Sequence, residues 1–407
     1  MLDIKFIREN AKLVEEKAKQ KGYPIDVEKL LKVDQNRRKL IEEVDKLRSK
    51  RKEAAEKRDE SAGKNLREEL KKKEDELEKS NEEFYQLIRQ IPNLPRDDVK
   101  IGKDETENEV IKKVGNIPKF DFKSKDHLDL GIENDLIDQE RAAKISGSRF
   151  NYIKNELVLL EFALIQYAFD LLTKEGFIPI IPPVIINKKI AEDLGYPEYE
   201  SGEGYKVDDQ YLVGTSEHSI VPMHQGEVIK DSDLPKRYLG FSTAFRREAG
   251  SYGKDTKGMF RVHQFDKVEM VSFVLPQDED RELEYLLSME EKIVQGLGLA
   301  YQVIKQCTGD LGFPTARKYD IETWFPSQEK YRETHSASAN GDFQARRLDI
   351  KFESKGQKNY LAILNATAIA MSRMPIAIME NYQQKDGSIE VPKVLQKYSG
   401  FSKIPAK

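Results

Sequence analysis

Residues 238–274, YLGFSTAFRREAGSYGKDTKGMFRVHQFDKVEMVSFV, decide the fold. The polar AGSYGKDTKG interrupts two period-2 patterns, so the stretch predicts two strands joined by a long loop. On the first strand Leu239, Phe241, Thr243 and Phe245 share one face, and Gly240, Ser242, Ala244, Arg246 and Glu248 the other. On the second, Phe260, Val262, Val268 and Met270 oppose Arg261, His263, Phe265, Lys267 and Glu269. Buried charges need partners. One strand spending a face on them fits a solvated edge with surface ion pairs. Two neighbouring strands doing so favour a polar pocket.

Arginines that fork onto phosphate oxygens, an aromatic that stacks on a base and carboxylates that accept from amino or hydroxyl groups suit ATP with a small polar substrate. FRREAGS, the basic loop and GMFRVHQFDKVE also resemble motif 2 of the class II aminoacyl-tRNA synthetases, and among them the seryl-tRNA synthetases most closely.

At 407 residues the chain holds one large domain and a smaller one. It has no apolar run of about eighteen residues. With the charged start MLDIKFIRENAK, this argues against a membrane span or secretory signal, and a cytoplasmic location is expected. The single cysteine, Cys307, and five scattered histidines offer neither an intramolecular disulfide nor zinc spacing. Net charge is −4, so any nucleic-acid contact has to come from local basic patches.

Residues 1 to about 25 predict one short amphipathic helix ending near Gly22 and Pro24. From Val27 to Ile91, Val33, Leu40, Val44, Leu47 and Ala54 form one apolar stripe. After a break at SAGKN, Leu70, Leu77, Phe84 and Ile91 recur every seven residues. An antiparallel coiled-coil hairpin follows, with an arm on the order of 40 Å long. Its first helix carries Arg37, Arg38, Lys39, Lys46, Arg48, Lys50, Arg51 and Lys52, and its second the run Lys71 to Lys73. A solvated surface balanced by glutamates would explain charges in general. The five cations without an anion from Lys46 to Lys52 point to phosphate contact. The resemblance agrees: seryl-tRNA synthetases carry such an arm, with starts like LDIKFIREN and ends like IPNLPRDDV, and use it to grip the variable arm of the tRNA.

The expected organisation is an arm over 1–97, a linker over 98–126 and a catalytic domain over 127–407. The helix Glu156 to Leu172 and the strand GFIPIIPPVII resemble motif 1, which in the family forms a dimer interface. At Thr215, Ser216 and Glu217, favourable helix-start residues, a Thr-x-Glu triplet of the family lies, holding the amino group of the amino acid. Glu333, Thr334, His335 and Ser336 lead into Ser336-Ala337-Ser338-Ala339-Asn340, where many relatives have Ser-Cys-Ser-Asn. In LAILNATAIAMSRMPIAIMEN, residues 361–381, an apolar strand is expected to feed Asn365-Ala366-Thr367 and then an Ala-rich helix bearing Arg373. A lone arginine there also suits a buried ion pair. It occupies the place of the motif 3 arginine.

The resemblance implies an α+β fold: an antiparallel sheet flanked by helices, after the coiled-coil hairpin. It implies activation of L-serine by ATP and transfer to tRNA(Ser), with tRNA(Sec) left open. Arg246 and Arg373 would be catalytic; Arg246, Arg247, Glu248, Arg261, Phe265, Glu333, Thr334, His335, Ser336 and Arg373 would hold ATP. Thr215, Ser216, Glu217, Glu269 and Thr367 would hold serine, and Glu333 and Ser336 a Mg2+ ion, with no zinc. Arg37, Arg38, Lys46, Arg48, Lys50, Arg51 and Lys52 would bind tRNA. A homodimer whose arms act across subunits is implied, with no membrane or DNA partner. An amino-acid activator serving a carrier protein would share the cleft but have no use for the basic arm.

Overall fold

The heptad stripes produce two helices of 30 residues each, α3 (Val27–Glu56) and α4 (Glu60–Arg89). The computed structural model describes residues 1–57, 59–196, 199, 204–248 and 258–407, in two units, Met1–Leu94 and Pro95–Lys407. In the first unit, Val44 and Leu47 of α3 meet Leu66, Leu70 and Leu77 of α4. Towards the open end, Val27, Leu30, Phe84, Ile88 and Ile91 enclose Ile7 and Val14.

Two expectations for this unit change. The single helix over 1–25 is two, α1 (Ile4–Glu9) and α2 (Ala11–Gln20). They part at Asn10, whose side chain donates to the Phe6 carbonyl and competes with the backbone for it. The hairpin turns between Glu56 and Glu60 and not at SAGKN, because Asp59 caps α4 by accepting from the Ala62 N–H at 3.0 Å. Gly63 is carried inside the helix, at about 1 kcal/mol relative to alanine.

The second unit is built on an eight-stranded sheet. Its strands are β1 (Glu109–Val114), β2 (Ile178–Ile180), β4 (Lys236–Phe245), β5 (Gln264–Val274), β6 (Tyr301–Lys305), β7 (Arg317–Phe325), β8 (Lys330–Ala339) and β9 (Ala362–Ala370), while β3 (Gln210–Leu212) lies in a small separate sheet. The order is β1-β6-β7-β8-β9-β5-β4-β2, antiparallel throughout except where β2 runs parallel to β4. Period-2 alternation sends Leu239, Val268, Met270, Ala337, Ala366 and Ala368 into one core, covered by α5 (Glu156–Lys174) and α7 (Glu279–Gly296). On the other side Tyr238, Val271, Phe273 and Ile363 join a second core. Between its apolar ends that side is polar.

The stretch 98–126 is not a plain linker. It contains β1, which pairs with β6 at the sheet edge, and the second unit already begins at Pro95. Nearly all of EVIKKV in β1 is exposed, so the alternation that would mark a strand is missing, and main-chain pairing alone orders it. The alanine-rich segment also departs from expectation. β9 continues through Asn365-Ala366-Thr367 to Ala370, and Arg373 sits at the N-cap of α8 (Met374–Asn381), outside the helix. Helix propensity loses here because β9 is buried along its whole length and paired on both sides, to β8 and β5.

Candidate active site

The polar face of the two central strands is a consequence of register. Ser242 lies opposite Lys267, Gly240 opposite Glu269, and Glu269 opposite Thr367 on the other side. Small residues on β4 leave room for a segment above them. A Cβ on Gly240 would lie 2.6 Å from Ser216 Oγ and 2.4 Å from Ile220 Cδ1, so only glycine lets the short helix α6 (Glu217–Ile220) rest on the strand. Thr215, Ser216 and Glu217 are thereby brought over the inner part of the sheet.

Beyond the end of β4 the chain opens into a cleft of about 470 Å³ lined by Arg246, Glu248, Phe260, Phe265, Lys267, Glu333, Thr334, Ser336, Thr367, Ser372 and Arg373, with Val262 and Ala370. Arg246 places its guanidinium 5.4 Å from the Phe265 ring centroid and donates from Nε to the Gly214 carbonyl at 3.1 Å. Glu248 has φ +51°, a left-handed conformation uncommon outside glycine, and pairs with Arg261 at 3.0 Å. Arg373 donates to the Glu333 carbonyl at 2.7 Å and pairs with its carboxylate at 3.2 Å. Burial alone would raise the Glu333 carboxyl; the charges of Arg373 and Lys318 overcome that and hold it well below the ordinary carboxylate range.

At the inner end the charges are buried. Lys267 lines the cleft and meets Glu269, 2 % exposed, at 2.6 Å. Glu217 accepts from the Tyr196 hydroxyl at 2.5 Å and from Gln344 Nε2 at 3.1 Å, and Asn340 in turn donates to Gln344 at 3.1 Å. Burial, with the Glu269 charge adding to it, pushes the Glu217 carboxyl up to about 7. A buried carboxylate held by two neutral donors is prepared to receive a cation.

The cleft therefore gathers Arg246, Glu248, Phe265, Glu333, Thr334, Ser336, Thr367 and Arg373. Glu217 and Glu269 lie at its buried inner end. Other expected residues sit elsewhere. Ser216 is fully buried and its hydroxyl donates to the Gly240 carbonyl at 3.3 Å. His335 is 1 % exposed, bonds Thr334 Oγ1 at 2.9 Å and is pushed down to about 3 by burial, so it is a neutral interior ring. Arg247 stacks on Tyr205 at 4.9 Å, outside the cleft lining. The loop AGSYGKDTKG falls outside the described residues from 249 to 257. Lys267, Tyr196 and Gln344 had no role assigned from sequence. Lys267 stands on the polar face that the alternation predicts, whereas nothing in the sequence points to Tyr196 or Gln344.

On the first unit, Arg38, Lys46, Arg48, Lys50, Arg51 and Lys52 are exposed. Arg48 pairs with Glu74 at 2.8 Å. Arg37 is half-buried, 4.3 Å over the Phe84 ring and 3.5 Å from Asp34, so part of its bonding is spent within the hairpin. Among the described residues there is no helix long and apolar enough to cross a membrane, and no cluster of three His, Cys, Asp or Glu suited to a metal.

The chain is similar to known proteins along its whole length. Residues 1–95 match the seryl-tRNA synthetase N-terminal domain, and residues 203–382 the tRNA synthetase class II core domain (G, H, P, S and T). The chain is 44 % identical to the serine–tRNA ligase of Dictyoglomus thermophilum, with all of both chains covered. It is 40 % identical to that of Nitrosopumilus maritimus, covering 99 % of this chain and 100 % of the other. Among solved structures, seryl-tRNA synthetase from Pyrococcus horikoshii complexed with ATP superposes with a TM-score of 0.92 at 38 % identity, all of both chains covered. The cytoplasmic serine–tRNA ligase of Naegleria fowleri in complex with AMP gives 0.89 at 31 % identity, covering 100 % of this chain and 99 % of the other.

Proposed function

Because the chain belongs to the seryl-tRNA synthetases and is an ATP-dependent serine–tRNA ligase of the class II fold, we propose how its cleft divides the work. ATP and serine lie along one face of β5. Phe265, Lys267 and Glu269 alternate on that face, so the first and last are about 14 Å apart, enough to separate a base from an amino acid. This alternation, with Arg246 over Phe265 and Thr367 opposite Glu269, is the observation that carries the assignment.

Adenine stacks on Phe265 and donates its amino group to Glu248. Arg246, anchored on the Gly214 carbonyl, bridges the serine carboxylate and the α-phosphate and so aligns nucleophile and phosphorus. Arg261 and Arg373 meet the remaining phosphate charge with donors already in place. The serine ammonium goes to Glu217 and Thr215, and its hydroxyl to Glu269 and Thr367. Glu333 and Ser336 would hold Mg2+: a carboxylate and a hydroxyl in one cleft fit an ion that takes one or two carboxylates and completes its shell with phosphates and water. When bound it would neutralise phosphate oxygens. Proton transfer is secondary; positioning and charge do most of the work.

Two assembly features belong to the same proposal. Phe162 on α5 is 62 % exposed and Ile181, just past β2, is 79 % exposed, in the segment resembling motif 1, which supports a homodimer formed there. The exposed cations of α3 grip tRNA(Ser), and each arm serves the partner subunit's cleft. The reaction takes place where tRNA is charged for protein synthesis, in the cytoplasm. ATP–pyrophosphate exchange with each of the twenty amino acids, with and without tRNA, tests the function: exchange should require serine and not tRNA. Exchange driven by another amino acid would refute it.

A further inference from the structure

Lys267 has no part in the division of labour above, yet it stands at the centre of the face. It is 6 % exposed, lines the cleft between the positions of Phe265 and Glu269, and places Nζ 2.6 Å from Glu269 Oε2. A buried ammonium is retained only with a partner. Its surroundings explain why the charge rests on this pair. Within electrostatic reach of it are Glu217 and His218 on α6, Glu290 on α7, His335 on β8 and Arg246 beyond β4. Burial moves both histidines and both of those carboxyls towards their neutral forms. Burial also lowers Lys267, but the charge of Glu269 opposes that.

We propose that Lys267 is a positioning residue for serine selection: it occupies one carboxylate oxygen of Glu269 and fixes the group in place, with the other oxygen presented to the substrate hydroxyl. This rests on the assignment of Glu269 to that hydroxyl. An ionised carboxylate can only accept, so it demands a donor, which serine has and alanine lacks. Without Lys267 the buried carboxyl would lose its charged partner, and the oxygen that meets the substrate hydroxyl would no longer be held in place.

The test uses Lys267→Met, Lys267→Arg, Glu269→Gln and the double variant Lys267→Met/Glu269→Gln in the full chain, assayed by pyrophosphate exchange with serine and alanine. Lys267→Met should raise the KM for serine about 10-fold or more and lower the serine-to-alanine ratio of kcat/KM similarly. Lys267→Arg should recover most of the ratio. In the Glu269→Gln background, removing Lys267 should cost little more. A lowered kcat with unchanged KM and ratio, or an equal further loss in the double variant, would overturn the proposal. If Lys267→Met does not fold, the comparison of Glu269→Gln with the double variant, which removes both charges, decides. If Glu269→Gln itself leaves the serine-to-alanine ratio intact, the assignment of the serine pocket fails; if only the Lys267 variants do, this proposal alone fails.

Discussion

Arg373 is tied to Glu333 twice, to the main-chain carbonyl at 2.7 Å and to the carboxylate at 3.2 Å, so its guanidinium is held in place by the protein alone. Pre-placed donors are worth most where charge develops in the transition state. Arg373→Ala and Arg246→Ala should each lower the rate of serine-dependent pyrophosphate exchange on the order of 10²-fold or more. Near-normal exchange in either variant would remove that residue from the site.

Selectivity follows from burial. Glu269 and Thr367 are 2 % and 4 % exposed, and on the proposed assignment a substrate without a hydroxyl would offer no donor to the Glu269 oxygen that Lys267 does not hold. Alanine should be disfavoured in kcat/KM on the order of 10⁴-fold, and Thr367→Val should reduce that margin. Comparable exchange with alanine and serine in the parent would contradict the pocket.

Glu290 carries a pH dependence. It is fully buried on α7, neither carboxyl oxygen has a hydrogen-bond partner among the described residues, and burial, with the charge of Asp320 next, raises it well above 4.5. Between the unfolded value near 4.5 and the higher folded one, the native state keeps a proton that the unfolded chain has lost, so stability falls as pH rises. The loss is roughly 1.4 kcal/mol for each pH unit of displacement. Glu290→Gln should raise Tm at pH 8 and converge on the parent near pH 4.5. Parallel Tm profiles would place the proton elsewhere.

The arm can be shortened without touching its base. Deleting residues 41–80 and closing α3 to α4 with a short turn keeps Val27, Leu30, Phe84 and Ile88, which enclose Ile7 and Val14. Serine-dependent exchange should persist and tRNA charging should collapse. In dimers pairing a shortened arm with an intact-armed Arg373→Ala chain, about half the charging sites should recover. With heterodimer formation verified, no recovery would mean that each arm serves its own cleft or that α3 does not bind tRNA.

Much of this is legible because β4 and β5 are regular: period-2 alternation by itself places Phe265, Lys267 and Glu269 on one face, although Phe260 and Val262, which it sets on the other, precede β5 and line the cleft with Phe265. What escaped has physical causes. β1 has no apolar face to reveal it, and β9 is alanine-rich yet held as a strand by two neighbours. Residues adjacent in sequence, Thr334, His335 and Ser336, part ways because His335 turns into the interior while its neighbours line the cleft. Tyr196 reaches Glu217 only through folding, and no spacing in the chain encodes that contact.

The division of β5 into an adenine end and a serine end is tested most directly by a crystal structure with a non-hydrolysable seryl-adenylate analogue. The base should stack on Phe265 with its amino group at Glu248, and the serine hydroxyl should lie within hydrogen-bond distance of Glu269 and Thr367. A base seated away from Phe265, or a serine hydroxyl pointing away from Glu269, would contradict it.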